Sequence, residues 1–297
     1  MSLLRGSIVA IVTPMKGGVA MQSALDDECF AKLINYHVER GTRAIVAAGT
    51  TGESATLTFE EHCRVIEQAV AFSDGRIPII AGTGANSTHE ALMLTREAKK
   101  LGADAALIVT PYYNKPTQEG LWQHHALLAE EVKIPQILYN VPSRTACDLL
   151  PETVAKLSSL ENIVGIKEAT GDLSRVKEIK SNCGSDFLLF SGDDLTARDF
   201  MLEGGDGVIS VTANVAPKEM SDMCEAALAG KKTEAEEIDE LLVGLHKDLF
   251  LEANPIPVKW AVGKQGLIKD GIRLPLTQFS EKFKGKLLAS MEVAGSI

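Results

Sequence analysis

The sequence contains 297 residues, of which 45% are hydrophobic, and it carries a formal net charge of −10. A chain of this length and composition can bury a complete core, and a barrel of this size commonly forms a single domain. The negative charge argues against nucleic acid or an anionic membrane surface as a partner, and no stretch approaches the ~20 apolar residues that a membrane-spanning helix needs.

Eight short runs of apolar and β-branched residues recur along the chain, and each is typical of a buried strand. These runs cover residues 7–12, 44–48, 78–81, 105–109, 136–139, 163–167, 187–190 and 207–211. Helical patterns follow most of them, for example over residues 60–72, 88–101 and 120–131. The runs are nearly continuous rather than alternating, which indicates strands that are buried on both faces, as in a parallel sheet.

The number and order of these elements favour an α/β fold of the (β/α)8 TIM-barrel type over an open, doubly wound sheet. Periodicity alone does not distinguish eight strands from seven. The last part of the chain has helical periodicity and no strand pattern. We therefore expect a catalytic barrel over residues 1–230 and a C-terminal helical extension, residues 231–297, packed against it.

Polar and glycine-rich segments come directly after the predicted strands. They are residues 49–53, 82–86, 110–114, 140–144, 167–170, 191–194 and 212–214. In a parallel barrel the carboxyl ends of the strands meet at one mouth, where such folds place their active sites. We therefore expect the functional residues at this mouth.

Lys167 is the first candidate, because the apolar residues 163–166 lead directly into it. An exposed lysine has a pKa of about 10.4 and is almost fully protonated at neutral pH. Burial would lower that pKa and free the amine to attack a carbonyl carbon, which begins Schiff-base catalysis. We expect Glu168 to point away from the barrel interior, so that burial rather than a neighbouring charge changes the pKa. The alternative is a surface lysine that happens to follow a strand.

Tyr139 ends the strand before that of Lys167, so the two side chains should lie at the same height on adjacent strands. A phenol in this position can carry protons to and from the oxygen and nitrogen of a carbinolamine. The alternative is a core tyrosine that closes the barrel.

Thr50 and Thr51 follow the second predicted strand and lie between Gly49 and Gly52. Their hydroxyl and backbone N–H groups can hold a small carboxylate or relay a proton, whereas the glycines alone would indicate a tight turn. Arg144 lies in the loop after the fifth strand and offers a planar guanidinium to a carboxylate.

Motifs for metal ions and organic cofactors are weak or incomplete in the sequence. Residues 82–87 begin like G-x-G-x-x-G, but Ser87 stands in place of the third glycine. His124 and His125 are adjacent on a predicted helix and point in different directions, so they chelate one metal poorly. We expect neither a metal nor an organic cofactor.

The five cysteines are far apart in the sequence, odd in number and never arranged as C-x-x-C. This distribution fits a reducing compartment rather than a disulfide framework or a zinc site. The N-terminal residues lack a signal-peptide pattern, so we expect a cytoplasmic protein.

Together, the residues at the strand ends closely resemble the dihydrodipicolinate synthase family of the pyruvate-dependent class I aldolase superfamily, which includes N-acetylneuraminate lyase. The resemblance extends over nearly the whole chain, from residues 6–14 to residues 254–259. Its most specific motifs are Gly-Thr-Thr-Gly-Glu-Ser-Ala-Thr at residues 49–56, Tyr-Asn-Val-Pro-Ser-Arg-Thr at residues 139–145 and Gly-Ile-Lys-Glu-Ala at residues 165–169. Together these motifs are far more specific than any one of them.

The resemblance implies a Schiff base between Lys167 and pyruvate, with no metal or organic cofactor. Tyr139 would donate and accept protons, and Thr50 would link its hydroxyl group to that of Tyr113. In the family this second tyrosine reaches in from the neighbouring subunit of a tight dimer. The resemblance also implies a homotetramer built as a dimer of dimers.

Substrate contacts are implied by the same resemblance. Thr51, the backbone near Ile209 and the nearby Gly192 would hold pyruvate, and Arg144 would bind the carboxylate of L-aspartate 4-semialdehyde. The implied product is 4-hydroxy-tetrahydrodipicolinate, an intermediate of lysine and diaminopimelate biosynthesis.

The family also has an allosteric site for L-lysine at the tight-dimer interface. The positions that match it are Ser54, Ala55, His62, Asn86, Glu90 and Tyr112. Phe59 departs from the pattern, since a histidine or another polar residue is common there in lysine-sensitive members. Inhibition by lysine is therefore a hypothesis at this point.

Two other functions remain open. A sialic-acid or sugar-acid lyase of the same superfamily would share Lys167 and Tyr139 but would bind a polyol aldehyde, for which Arg144 is poorly suited. A non-catalytic barrel that senses a keto acid belongs to a different class, and the lysine, tyrosine and threonine set argues against it.

Overall fold

The structure is a computed structural model that describes residues 4–297. Its strands are β1 (Gly6–Ala10), β2 (Val19–Ala20), β3 (Ala44–Ala47), β4 (Ile79–Gly82), β5 (Ala105–Val109), β6 (Gln136–Asn140), β7 (Ile163–Glu168), β8 (Leu188–Ser191), β9 (Gly207–Ser210) and β10 (Ile272–Arg273). Its helices are α1 (Asp27–Glu39), α2 (Phe59–Ser73), α3 (Thr88–Lys100), α4 (Gln118–Glu131), α5 (Pro142–Thr145), α6 (Pro151–Leu157), α7 (Ser174–Asn182), α8 (Ala197–Leu202), α9 (Pro217–Leu228), α10 (Lys232–Asp248), α11 (Ile256–Lys264) and α12 (Glu281–Val293).

Eight strands form a closed parallel barrel in the order β1-β3-β4-β5-β6-β7-β8-β9. Each corresponds to one of the eight apolar runs in the sequence, so the predicted (β/α)8 barrel is confirmed. Burial on both faces explains why the runs were continuous.

Apolar side chains of the strands divide between two regions of the core. Alternate residues such as Val46, Leu107 and Phe190 pack inside the barrel, whereas Leu138 and Ile166 pack against the surrounding helices. Each fully buried residue of this kind contributes roughly 1.5–3 kcal/mol to folding. This alternation places every second strand residue on the interior side.

The helices α1 to α4 each begin after a residue whose side chain accepts a hydrogen bond from a backbone N–H of the first turn. At α2, the Thr58 hydroxyl accepts a hydrogen bond from the Glu61 N–H at 3.2 Å, and the Glu61 carboxylate accepts from the Thr58 N–H at 3.0 Å. This capping box fixes the first turn of the helix. No helix within residues 4–297 combines the length and the apolar character needed to cross a membrane.

The C-terminal region packs through α10 against α9, and α12 packs against α10. The expectation of no strand after residue 230 was wrong, because Ile272 of β10 pairs in parallel with Val19 of β2. Two-residue strands are too short to produce a period of two in the sequence. Gly271 permits this approach, since a Cβ atom there would lie 2.4 Å from the Met15 carbonyl oxygen.

Candidate active site

A cavity of about 270 Å³ opens at the C-terminal mouth of the barrel. Every barrel strand, or the loop that follows it, contributes to the cavity wall. Among the predicted site residues, the wall includes Thr50, Thr51, Tyr139, Arg144, Lys167 and Gly192. The structure therefore brings together residues that are up to 142 positions apart in the chain.

Lys167 and Tyr139 are direct neighbours in the register of β6 and β7. The lysine Nζ lies 4.2 Å from the centroid of the tyrosine ring, and the two residues are only 6% and 7% exposed. The expectation that they lie at the same height is confirmed. An amine and a phenol thus meet in a closed space, where proton transfer between a bound carbonyl compound and the protein is feasible.

Glu168 lies on the other face of β7, where it is buried beside Asn140 of β6. Its carboxylate accepts from the Asn140 Nδ2 at 3.1 Å and from the Thr170 N–H at 2.8 Å, and an Arg175 nitrogen lies 3.5 Å away. Burial raises the pKa of Glu168, and the hydrogen bond from Asn140 is the largest opposing effect. The side chains of Asn140 and Glu168, which follow Tyr139 and Lys167, therefore link β6 to β7.

Because Gly192 has no side chain, there is room beside it for the side chain of Lys167. A Cβ atom at Gly192 would lie 2.9 Å from the lysine Cε and 2.5 Å from the Cβ of Ala169. Contacts this short are essentially forbidden in packed proteins, so a larger residue here would displace the lysine.

Thr50 and Thr51 lie in a tight turn after β3. The Gly52 N–H donates to the Gly49 carbonyl, and the Glu53 N–H donates to the Thr50 carbonyl, both at 3.1 Å. Neither Gly49 nor Gly52 has a positive φ angle, although a Cβ atom at Gly52 would lie 3.2 Å from the Ile11 carbonyl oxygen. The segment is therefore a tight turn, and its two threonines line the cavity.

Arg144 lies on α5, a single turn that follows β6. Its guanidinium is exposed at the mouth of the cavity, where one nitrogen lies 3.5 Å from the Asn254 carbonyl oxygen. A planar cation in this position can accept a carboxylate that enters from solvent.

Two of the residues predicted for catalysis or substrate binding, Ile209 and Tyr113, do not line the cavity. Ile209 is 1% exposed and packs inside the barrel on β9. Tyr113 is 88% exposed, outside the cavity of its own chain, and its φ angle of 74° is in the left-handed region. Such a backbone conformation is unfavourable for a bulky residue and often marks a functional position.

Potential metal ligands are not clustered: residues 4–297 contain no group of three or more His, Cys, Asp or Glu side chains placed to hold a metal ion. His124 and His125 are buried on α4 with their rings at 87° to each other. The groups that line the cavity include the amine of Lys167, the hydroxyl groups of Tyr139, Thr50 and Thr51, and the guanidinium of Arg144.

Comparison with known proteins assigns the chain to a family. A sequence model described as the dihydrodipicolinate synthetase family matches residues 3–294. The chain belongs to this family.

Relatives of this dihydrodipicolinate synthetase family member are similar over their whole length. The 4-hydroxy-tetrahydrodipicolinate synthase of Alcanivorax borkumensis is 61% identical over 293 residues, which cover 99% of this chain and 98% of that protein. The crystal structure of the chloride-inhibited dihydrodipicolinate synthase from Acinetobacter baumannii, complexed with pyruvate, is 53% identical. It superposes with a TM-score of 0.96 over 99% of this chain and 100% of that chain.

A third relative is the dihydrodipicolinate synthase of Cyanidioschyzon merolae, whose crystal structure has lysine bound. It is 37% identical, with a TM-score of 0.95 and coverage of 99% of both chains.

The residues that match the family's lysine site lie near the cavity of this family member but mostly outside it. Ser54 lines the cavity, and the buried His62 places its Nε2 atom 2.7 Å from the Gly82 carbonyl oxygen. Burial lowers the pKa of His62. Ala55 and Phe59 are exposed on the adjacent turn and helix.

Tyr112, Glu90 and Asn86 form a second group of these residues. Partial burial raises the pKa of Tyr112, the Glu90 carboxylate raises it further, and a hydrogen bond donated by the Asn86 backbone opposes both effects. The Asn114 amide also donates to the Asn86 carbonyl at 2.8 Å. Charged and polar groups therefore gather beside the exposed Tyr113.

The C-terminal region completes the cavity of this family member. The sequence patterns did not predict this contribution. Phe250 and Asn254 both line the wall. The Asn254 Nδ2 donates to the Thr51 hydroxyl at 3.0 Å, whereas its buried Oδ1 atom has no partner within residues 4–297. Residues 254–259 were part of the family resemblance, but nothing local in them predicted a contact with Thr51.

Proposed function

We propose that this chain condenses pyruvate with L-aspartate 4-semialdehyde to form 4-hydroxy-tetrahydrodipicolinate and water, in the biosynthesis of lysine and diaminopimelate. The observation that carries the proposal is the pairing of Lys167 with Tyr139 in the cavity, with Arg144 at its mouth. The relatives named 4-hydroxy-tetrahydrodipicolinate synthase support the same activity. All five cysteines have free thiols, which supports a location in the reducing cytoplasm.

The reaction begins when the neutral amine of Lys167 attacks the keto carbon of pyruvate. The carbonyl oxygen becomes the hydroxyl group of a carbinolamine, and the Tyr139 phenol supplies the proton for its departure as water. The product is a protonated imine between Lys167 and pyruvate. Thr50 borders the same cavity and can pass protons between Tyr139 and a second hydroxyl group.

The protonated imine makes the adjacent methyl group acidic. Loss of one proton gives an enamine, whose terminal carbon forms a bond with the aldehyde carbon of L-aspartate 4-semialdehyde. The amine of that substrate then attacks the imine carbon, closes the ring and displaces the amine of Lys167. No electrons are lost or gained overall, so the reaction needs no redox cofactor.

Thr51 and the backbone near Ile209 hold pyruvate, and Gly192 lies close to it. The Thr51 hydroxyl already accepts a hydrogen bond from Asn254. Its own proton is therefore free to be donated to the pyruvate carboxylate.

Arg144 binds the carboxylate of the second substrate. A planar guanidinium matches a carboxylate better than it matches the hydroxyl groups of a sugar. The alternative of a sialic-acid or sugar-acid lyase therefore receives no support from this position.

A homotetramer of two tight dimers is the proposed assembly, with Tyr113 inserted into the active site of the partner subunit. The exposure of Tyr113 and its left-handed backbone support this arrangement, since they leave its side chain open to contact with a partner subunit.

L-Lysine is the proposed inhibitor, bound near Ser54, Ala55, His62, Asn86, Glu90 and Tyr112. The ammonium groups of lysine fit the Glu90 carboxylate and the neutral polar groups beside it. Measurement of turnover against millimolar L-lysine tests this point, and a flat curve would contradict it.

The central experiment treats the protein with pyruvate and sodium borohydride and maps the adduct by mass spectrometry. Reduction of the imine should leave a stable modification at Lys167. Modification at another lysine, or none, would refute the mechanism. Coupled turnover with L-aspartate 4-semialdehyde, compared with N-acetylneuraminate cleavage, then assigns the second substrate.

A further inference from the structure

The turn that carries Thr50 and Thr51 has an unfavourable backbone conformation at both ends. Ala48 has a φ angle of 54° and Glu53 one of 57°, both in the left-handed region. Such conformations persist only where surrounding contacts hold them. Ala48 packs directly against Gly82, where an added Cβ atom would lie 2.5 Å from the Ala48 carbonyl oxygen.

The contacts that hold Glu53 come from the C-terminal region, more than 200 residues away in the sequence. The Lys259 ammonium on α11 donates to the Glu53 Oε1 atom, and the Arg273 N–H donates to the Oε2 atom at 3.1 Å. Glu53 and Lys259 are 3% and 5% exposed. Both carboxylate oxygens are therefore fixed by the same region of the chain.

A contribution to folding stability does not by itself explain why Glu53 and Lys259 form a buried ion pair. Burial lowers the pKa of Lys259, and the Glu53 carboxylate opposes this shift. The desolvation of two charges often exceeds their attraction, so an apolar pair of similar volume is commonly at least as stabilising. A buried pair does, however, restrict geometry more tightly than apolar packing.

One hydrogen bond connects this pair to the turn that carries the active-site threonines, and a second bond reaches the turn separately from Asn254. The Glu53 N–H donates to the Thr50 carbonyl at 3.1 Å, so the position of Glu53 sets that of Thr50. At the same turn, Asn254 donates to the Thr51 hydroxyl at 3.0 Å. Asn254 and Lys259 lie within two turns of each other at the start of α11.

We propose that Lys259 is a positioning residue, which acts through Glu53 to hold Thr50 and Thr51 in place for proton transfer and pyruvate binding. The proposal rests on the function proposed above. Lys259 does not line the cavity, so it can affect catalysis only through other residues, and its ammonium donates to Glu53 in the turn.

The test compares three variants with the wild-type protein. Lys259→Met leaves Glu53 buried without its partner and can fail to fold. The Glu53→Gln/Lys259→Met double variant removes both charges while it keeps an acceptor for the Arg273 N–H. Lys269→Met is the matched control, because Lys269 also lies in the C-terminal region and pairs with a buried carboxylate, Asp26, away from the turn. Each protein is measured for melting temperature, kcat, KM for pyruvate and the rate of borohydride-trapped adduct formation.

We expect the double variant to fold with a melting temperature near that of the wild type. Its kcat/KM for pyruvate and its adduct rate should fall by about tenfold or more, because small displacements of a catalytic group have effects of this size. Lys269→Met should stay within about twofold of the wild type, because neither Lys269 nor Asp26 lines the cavity or bonds to the turn.

A double variant with wild-type kcat and KM for pyruvate would overturn the proposal, and so would an equal loss in Lys269→Met. Failure of the wild-type protein to form any adduct at Lys167 is a different result, since it would refute the proposed function itself.

Discussion

The Lys167 side chain packs against Gly192 at the ends of two adjacent strands: a Cβ atom on the glycine would lie 2.9 Å from the lysine Cε. The same Cβ atom would lie 3.1 Å from the lysine Cγ, so the lysine side chain runs alongside the glycine. The absence of a side chain at residue 192 is thus part of what positions the amine.

Gly192→Ala should slow adduct formation with pyruvate by about tenfold or more, because the added methyl group forces the lysine out of its position. Borohydride trapping under pseudo-first-order conditions measures this rate. Gly184→Ala is the matched control, since a Cβ atom at Gly184 meets nothing within 4 Å. Equal adduct rates for the two variants would show that Gly192 does not position Lys167.

Arg144→Ala should retain the pyruvate adduct at Lys167 yet lose turnover with L-aspartate 4-semialdehyde. Loss of a hydrogen bond to a charged group corresponds to roughly a 10- to 100-fold fall in kcat/KM for that substrate. Arg144→Lys should recover part of the loss, because it keeps the charge but not the planar fork. Unchanged turnover in Arg144→Ala would show that this residue was misassigned.

Tyr113 can be tested by mixing two impaired proteins. Tyr113→Phe lacks the second phenol, and Lys167→Met lacks the nucleophile. After dissociation and reassembly, a mixed dimer contains one site with a native Lys167 and a native Tyr113 from the partner subunit. Equal mixing should therefore recover about a quarter of wild-type activity, since half of the dimers are mixed and each has one intact site.

No recovery on mixing, with reassembly verified by native mass spectrometry, would place the action of Tyr113 within its own chain. Separate solutions of the two variants, assayed without reassembly, provide the baseline.

Glu168 should make the stability of the folded protein depend on pH, and the burial of its carboxyl group determines the sign of that dependence. Burial raises its pKa in the folded state above the unfolded value of about 4.3. The stability that this group contributes is therefore present below that unfolded value and is lost as the pH rises through the folded pKa. Glu168→Gln cannot ionise, so its melting temperature should improve relative to wild type as the pH rises from about 4 to about 7.

Thermal unfolding of both proteins across this pH range measures the difference. Glu178→Gln, on the exposed face of α7, should show no comparable trend. A difference between Glu168→Gln and wild type that stays constant with pH would contradict the effect of burial.

The sequence predicted the barrel and the core of the site because both depend on local patterns. A continuous apolar run that ends in Lys167 or Tyr139 indicates where the strand ends and which residue lies at the mouth of the barrel. The pairing of Tyr139 with Lys167 then follows from the order of adjacent strands in a parallel barrel.

Contacts between distant segments could not be predicted in this way. Lys259 and Glu53 are 206 positions apart, and nothing in the helical pattern of α11 indicates which face it buries or what lies beneath. β2 and β10 were missed because two residues carry no periodicity. The space below Lys167 depends on the packing of Gly192 against Ala169, which becomes visible only in three dimensions.

The position of Phe250, Asn254 and Lys259 near the end of the chain has a consequence for its synthesis. A ribosome releases the eight barrel strands well before these residues emerge, so a nascent chain can close its barrel while its active site still lacks one wall. We expect the active site to become competent only when the segment that carries Phe250, Asn254 and Lys259 has docked on the barrel. A chain cut before Phe250 should therefore be inactive rather than partly active, because Thr50 and Thr51 would lose these contacts.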